Sequence, residues 1–171
     1  MGYDKVTCSE CGNEVNDKRI CIIDHKAVCF TCLYGLTEPF EIYPIGRIAT
    51  TLEPMEIDGL PAGSKGISRI DLIPSQRRFM YKLEEETSLL VIYYLHEVKS
   101  VTTVFNRRLD GKRVGVFASR SPNRPSKIAV QDVSLLKIDE NVLYVEGLDA
   151  IDGSPVLDIK LGLRHGNHVG R

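Results

Sequence analysis

The residues with the clearest chemistry are four cysteines in two pairs, Cys8-Ser9-Glu10-Cys11 and Cys29-Phe30-Thr31-Cys32, separated by 17 residues. Two thiolates spaced C-x-x-C on a tight turn can face one point, and two such turns close the tetrahedral sulfur set that structural zinc prefers. Gly12 suits the left-handed turn after the first pair. The segment between the pairs is too short to bury a core. A metal must therefore hold it, and structural zinc contributes on the order of 10–16 kcal/mol at neutral pH. A redox role for either pair stays open, although neither heads a βα unit. Cys21 reads as a core residue of a ribbon strand and His25 as a turn residue, each with a ligand role as its alternative. Four thiolates leave no open coordination position, so the metal is expected to act as scaffold or in recognition.

A second kind of chemistry lies further along. Between 107 and 127 stand seven cations (Arg107, Arg108, Lys112, Arg113, Arg120, Arg124 and Lys127) against Asp110. From 132 to 158 the balance reverses, with seven acids against Lys137. Solvated hairpin faces would produce the same pattern. Two stretches carry more than charge. In 115–125, GVFASRSPNRP, two arginines are set by two prolines that restrict the backbone. Arginine's planar fork suits carboxylate or phosphate, and rigid placement lowers the ordering cost of binding. In 149–160, DAIDGSPVLDIK, a turn with carboxylates on both sides leads into a strand. Such a loop suits a ribose hydroxyl or a cation. The residues alone thus indicate a ligand with both acidic and cationic parts.

The elements that must position these residues read as β. Strands are expected at 43–49, 67–73, 89–95, 113–118, 130–138, 142–145 and 156–159, rich in Val, Ile and Tyr and bounded by Gly, Pro, Asn and Asp. The run 89–95 is apolar throughout, as a strand buried on both faces would be. Asp139-Glu140-Asn141 reads as a hairpin turn. Only 75–86 has a helical stretch, and residues 33–40 read as a linker. The lack of alternating helices argues against a doubly wound sheet. The expectation is an all-β chain: a zinc-ribbon-like module at 1–36, a small β-barrel domain at 41–162 and a C-terminal tail at 163–171.

Bulk properties exclude some classes. The chain has 171 residues, 22 basic and 23 acidic side chains, and 43% hydrophobic content. Near-neutrality removes any argument from bulk charge for nucleic-acid binding. No apolar run reaches the roughly 20 residues that span a bilayer. The first residues lack a secretory signal, and Val6 stands where a myristoylation motif needs Ser or Thr. All five cysteines lie within the first 32 residues, which favours metal over disulfides. The expected setting is the cytoplasm, with no membrane partner.

The block 115–125, followed by 143–160 (LYVEGLDAIDGSPVLDIK), resembles the TsaA-like (TrmO-type) methyltransferases, whose pattern is GVFATRSPxRPNPIGLS…DxLDGTPVLDIKPY. The resemblance begins near Tyr43 and is closest at 115–160. The cysteine module is similar to the small zinc module of formylmethanofuran dehydrogenase-like proteins. The first resemblance implies a small all-β barrel, usually a homodimer, that binds S-adenosylmethionine and methylates the exocyclic nitrogen of threonylcarbamoyladenosine in tRNA. Carried over by position, the cofactor-binding residues would be His96, Glu97, Arg120, Ser121, Val130, Asp149, Asp152, Gly153, Ser154 and Pro155. Pro54-Met55-Glu56 would stand at the family's proline-rich cofactor turn. His96 is the candidate base, with a cofactor-wall role as its alternative. Arg107, Arg108 and Arg124 are the candidate substrate contacts.

The departures from the pattern fall on the pocket and its rim. Residues 124–131 read RPSKIAVQ where the family has RPNPIGLS, 161–163 read LGL in place of PY, and 79–83 replace a GLEGFSH-like stretch. Three readings remain open: a zinc-bearing tRNA methyltransferase, a relative that methylates a small molecule or protein, and a binding module without transfer.

Overall fold

Val, Ile and Tyr recur between turn-forming residues along most of the chain, and strands form there because branched and aromatic side chains pack well on a pleated surface. A computed structural model describes residues 4–50 and 66–163. The strands are β1 (Lys5–Thr7), β2 (Glu14–Asn16), β3 (Ile20–Ile23), β4 (Lys26–Cys29), β5 (Gly46–Thr50), β6 (Ile67–Leu72) and β7 (Ser88–Tyr94), then β8 (Ser100–Val101), β9 (Val104–Asn106), β10 (Arg113–Gly115), β11 (Ile128–Asp139), β12 (Val142–Glu146) and β13 (Pro155–Leu161). The α-helix among the described residues is α1 (Phe30–Tyr34). The all-β expectation holds.

The chain forms two units, one of Met1–Glu41 with Glu97–Lys127, the other of Ile42–His96 with Ile128–Arg171. The second unit is a closed barrel in the order β11-β12-β6-β5-β13-β7, with β7 closing onto β11. Every neighbouring pair is antiparallel. Closure leaves no unpaired strand edge. Alternate residues point inward: Ser68, Ile70 and Leu72 on β6, Leu89, Val91 and Tyr93 on β7, Leu143 and Val145 on β12. They form one core with Ile48, Met80, Val133, Leu148 and Val156. Burying each of the larger side chains contributes roughly 1.5–3 kcal/mol.

Two sequence expectations change here. The apolar run at 89–95 is buried on one face only: Leu90, Ile92 and Tyr94 are half-buried, because β7 is a barrel wall rather than the middle of a sandwich. The helix expected at 75–86 becomes two 3₁₀ stretches, Pro74–Phe79 and Leu83–Glu85. Lys82, at φ 63°, breaks the run between them, and buried Met80 pins it to the core. The strand expected at 113–118 ends at Gly115 and continues as a 3₁₀ turn, Val116–Ala118.

The first unit joins the cysteine segment to a stretch from the middle of the chain. Its link is a parallel pairing of β3 with β8, Ile22 opposite Ser100 and Ile23 opposite Val101. The units therefore divide the chain differently from the linear order 1–36, 41–162: residues 97–127 go with the cysteines. Parallel pairing between segments some 80 residues apart leaves no local sequence signal.

Candidate functional site

The first C-x-x-C pair sits on a turn between β1 and β2. Gly12, at φ 75°, allows its N–H to donate to Cys8 O at 2.9 Å. The second pair starts α1, where Cys29 is the N-cap and its sulfur accepts from Cys32 N at 3.4 Å. The four sulfurs lie within 4.8 Å of one another, with Cys8–Cys32 and Cys11–Cys29 each at 3.9 Å. A tetrahedral zinc with bonds of about 2.3 Å needs sulfurs roughly 3.8 Å apart. The donor set fits. Backbone amides of Cys11, Cys29 and Glu10 donate toward the Cys8 sulfur and hold that thiol at about 6, well below ordinary cysteine. Such donors favour the thiolate that a metal requires. Cys21, half-buried on β3 opposite Val28, has its thiol pushed up by burial and stands outside the cluster, as does His25 on its turn.

In the same unit lies the segment 116–125. Arg120 is exposed, and the loop around it is braced from within by Arg124. The Arg124 guanidinium donates from Nε to Ser121 O at 2.9 Å and from Nη2 to Ser119 O at 2.7 Å. It therefore grips the carbonyls on both sides of Arg120. Ser121 N donates to Ser119 Oγ at 3.2 Å, which tightens the same bend. Arg107 is also committed: it pairs with Asp110 and donates to Ala118 O at 3.0 Å. Arg108 is exposed. Of the three expected substrate contacts, Arg107 and Arg124 thus hold the loop, and Arg108 faces solvent.

The other predicted loop belongs to the barrel unit and is tied down along its length. Gln131 accepts Asp149 N–H at 3.0 Å through Oε1 and donates to Gly147 O at 2.6 Å through Nε2. Buried Tyr93 donates its hydroxyl to Asp149 O at 2.8 Å, and burial together with the Asp149 charge raises that phenol's pKa. Asp152 accepts Thr50 N–H at 3.0 Å, and Gly153 N–H donates to Ile48 O at 2.8 Å. Gly153 sits at φ 78°, a region where side chains are strained, so the bend needs glycine. Buried Ser154 donates to Ile151 O at 2.6 Å, which leaves its oxygen to accept from His96 Nδ1, 3.3 Å away. That geometry assigns the neutral ring's proton to Nδ1 and its lone pair to Nε2. Pro155 opens β13.

Val130 lies on β11 opposite Ile92 and is 47% exposed. Glu97 is exposed at the start of the 97–127 segment. The turn at 54–56 lies outside the described residues. Sequence reasoning missed Gln131, Tyr93 and Arg47, which donates to Gly153 O at 3.1 Å. Gln131 had a signal, since it replaces the serine of the family pattern; Tyr93 and Arg47 had none. Lys127 stands where the pattern has its second proline, yet its φ is 53°. Proline is locked near −65°, so the backbone here takes a path the pattern forbids.

A family model for the tRNA-methyltransferase O N-terminal domain matches residues 56–164. A "Probable S-adenosyl-L-methionine-binding protein" of Archaeoglobus fulgidus is 40% identical over 57% of this chain and 26% of its own length. One of the same description from Pyrococcus abyssi is 30% identical over 68% of this chain and 65% of its own. A mouse "tRNA (adenine(37)-N6)-methyltransferase" is 38% identical over 46% of this chain and 19% of its own. The chain thus spans less than two thirds of each of these relatives. Two crystal structures of TrmO from Pseudomonas aeruginosa share the fold, with TM-scores of 0.57 and 0.56 at 24% and 22% identity. They cover 79% and 78% of this chain and 61% and 62% of their own. The matched stretch takes in all of the barrel after β5 and both motif loops, and the cysteine module precedes it. With barrel order, motif order and family model in agreement, the chain belongs to the tRNA-methyltransferase O N-terminal domain family.

Proposed function

We propose that this protein binds S-adenosylmethionine and transfers its methyl group to the exocyclic nitrogen of a modified adenosine, threonylcarbamoyladenosine, in tRNA. The observation that carries the reading is the exposed Arg120 on a loop pre-shaped by Arg124, a donor fork held ready for a carboxylate. The Asp149–Pro155 loop adds carboxylates suited to a cationic sulfur, and its hydrogen bonds set their positions before any ligand arrives. When bound, S-adenosylmethionine supplies an electrophilic methyl group on sulfonium. The chain's own part is placement: Arg120 and Ser121 hold one end, and Asp149, Asp152 and Gly153 the other. Placement supplies much of the rate in an in-line displacement. The acceptor nitrogen must lose a proton, and His96 Nε2, with its lone pair set by Ser154, is the group proposed to take it. The four cysteines hold a structural zinc.

The acceptor is tested together with a second reading, transfer to a small molecule or protein, which the altered 124–131 segment favours. Calorimetry with S-adenosylmethionine should show Arg120→Ala weaker by roughly 1.5–3 kcal/mol. Lys137→Ala, outside both motifs, should match wild type. Equal losses for the two would leave only general charge. Labelled cofactor incubated with total tRNA should then label it, and Arg108→Ala should lower the log–log salt slope of tRNA binding by about one unit, somewhat less on single strands. Unlabelled tRNA with intact cofactor binding would favour the second reading. Homodimerisation belongs to the same proposal, supported by the exposed apolar Val130 on the barrel wall, and light scattering checks it. A tRNA substrate would place the reaction in the cytoplasm.

A further inference from the structure

The four-cysteine module and the Arg120 loop are adjacent in the fold though far apart in the chain. β3 and β4 are joined by the two-residue turn Asp24-His25, with φ of 45° and 67°. Both values are positive, as a tight I′ hairpin turn requires, and aspartate is among the residues that tolerate that region. Asp24, at the tip, grips Thr103 twice: Oδ1 accepts the Thr103 N–H at 3.1 Å, and Oδ2 accepts the Thr103 hydroxyl. Asp24 N–H in turn donates to Val101 O at 3.0 Å.

Thr102 and Thr103 are the two residues from which the arginine loop hangs. Thr103 O accepts Val116 N–H at 3.0 Å where the loop begins, and Thr102 N–H donates to Asn123 O at 3.1 Å where it returns. A second tie meets the exit of the loop. Tyr34, last residue of the helix that Cys29 caps and Cys32 belongs to, donates its hydroxyl to Pro125 O at 3.3 Å. The module therefore touches the loop's support at its entry, its return and its exit.

We propose that the four-cysteine module is the frame that positions the Arg120 loop, with Asp24 and Tyr34 as its two holding points. Asp24 is then a positioning residue: it acts on cofactor affinity through Thr103 and never meets the ligand. The module is a working part of the binding apparatus, because a loop ordered beforehand does not lose that freedom when the ligand binds. Thiolate coordination and cofactor affinity become linked, since whatever loosens the cysteines loosens the hairpin tip and α1 together. The link to affinity rests on Arg120 contacting the cofactor; the positioning of the loop does not.

Hydrogen exchange on the full-length protein tests positioning by itself. Asp24→Ala should raise exchange of the 117–124 amides about tenfold, the loss expected when hydrogen bonds to a charged group go. Tyr34→Phe should raise it near 125–127, and Asp24→Asn, which keeps one acceptor, should fall between wild type and Asp24→Ala. Lys5→Ala, a surface change on the same module, should change nothing. Stripping metal with a chelator, or replacing Cys11 with serine, should reproduce the Asp24→Ala pattern while barrel amides stay protected. Unchanged 117–124 exchange in Asp24→Ala overturns the proposal, as does a module that opens without affecting that segment. Kinetics add the second readout: the KM for S-adenosylmethionine should rise about tenfold in Asp24→Ala, with kcat at saturation kept. A matching fall in kcat would indicate a global defect and overturn the positioning role. If exchange behaves as expected but wild-type protein binds no S-adenosylmethionine, the proposed function fails and the framing of the loop stands.

Discussion

Replacing Arg124 with alanine separates two roles that its sequence position allows, substrate contact and loop brace. The structure gives its guanidinium two carbonyl partners, Ser121 O at 2.9 Å and Ser119 O at 2.7 Å. A hydrogen bond to a charged group is worth roughly 1.5–3 kcal/mol when removal leaves its partner unsatisfied. Arg124 is only half-buried, so water reaches the vacated carbonyls and the pair of bonds is discounted to about 1–2 kcal/mol. That energy holds Ser119 to Ser121 in the bend that presents Arg120. Its loss should weaken S-adenosylmethionine binding by about 5–30-fold in calorimetry. Lysine should restore little, because a single ammonium cannot span two carbonyls as the planar fork does. The Arg124→Ala protein should also show faster exchange at 119–121. A variant that binds the cofactor normally and loses tRNA affinity would refute the brace and return Arg124 to the substrate surface.

Further predictions follow from the metal, the backbone and the titrating groups. Purified, reduced protein should contain one zinc per chain by elemental analysis, and Cys29→Ser should release it and unfold the module while the barrel persists; absence of stoichiometric metal ends that expectation. Lys127→Pro should destabilise the protein by at least about 1 kcal/mol in denaturant melts, since φ 53° is closed to proline, whereas Lys127→Gly should be neutral or stabilising. Asp24 is held below the usual carboxylate range, first by the Thr103 hydroxyl, then by the Thr103 amide, with smaller help from His25 and Lys26. Asp110 is held low chiefly by its hydrogen bonds with Arg107. A depressed folded value means that the contribution is complete above about pH 4 and fades as pH falls through that value. Wild type should therefore melt higher than Asp24→Ala at pH 6, and the gap should narrow below pH 4. A gap that stays constant with pH would mean that the carboxylate charge contributes nothing.

Much of this protein was legible because its signals are local. The C-x-x-C pairs bring two sulfurs to one point through a few bonds, so spacing alone implied the metal set later found within 4.8 Å. Period-two alternation at 67–73 and 142–145 and the turn at 139–141 were enough for strands and a hairpin, now seen as β6, β12 and the β11–β12 turn. The run 89–95 misled because an apolar outer face and an apolar inner face read alike without knowing what covers each. The helical stretch at 75–86 failed for the reverse reason: Lys82 adopts a left-handed backbone that its residue type does not announce.

What the sequence by itself determined is the inventory: four thiolates, a proline-bounded arginine loop, an acidic Gly153 turn and enough alternating strand to make one barrel. Only the tertiary structure decided how these are used. Thr103 lies 79 residues from Asp24, and Pro125 lies 91 from Tyr34, yet those pairs join the cysteine module to the arginine loop. Gln131 and Tyr93, from two barrel strands, set the loop that begins near Asp149. Arg107 and Arg124 look like ligand contacts by residue type and spend their donors on backbone carbonyls instead. The physical reason is the same in each case. A side chain's charge and shape are local properties. Which partner satisfies its hydrogen bonds depends on segments that only folding brings within 3 Å.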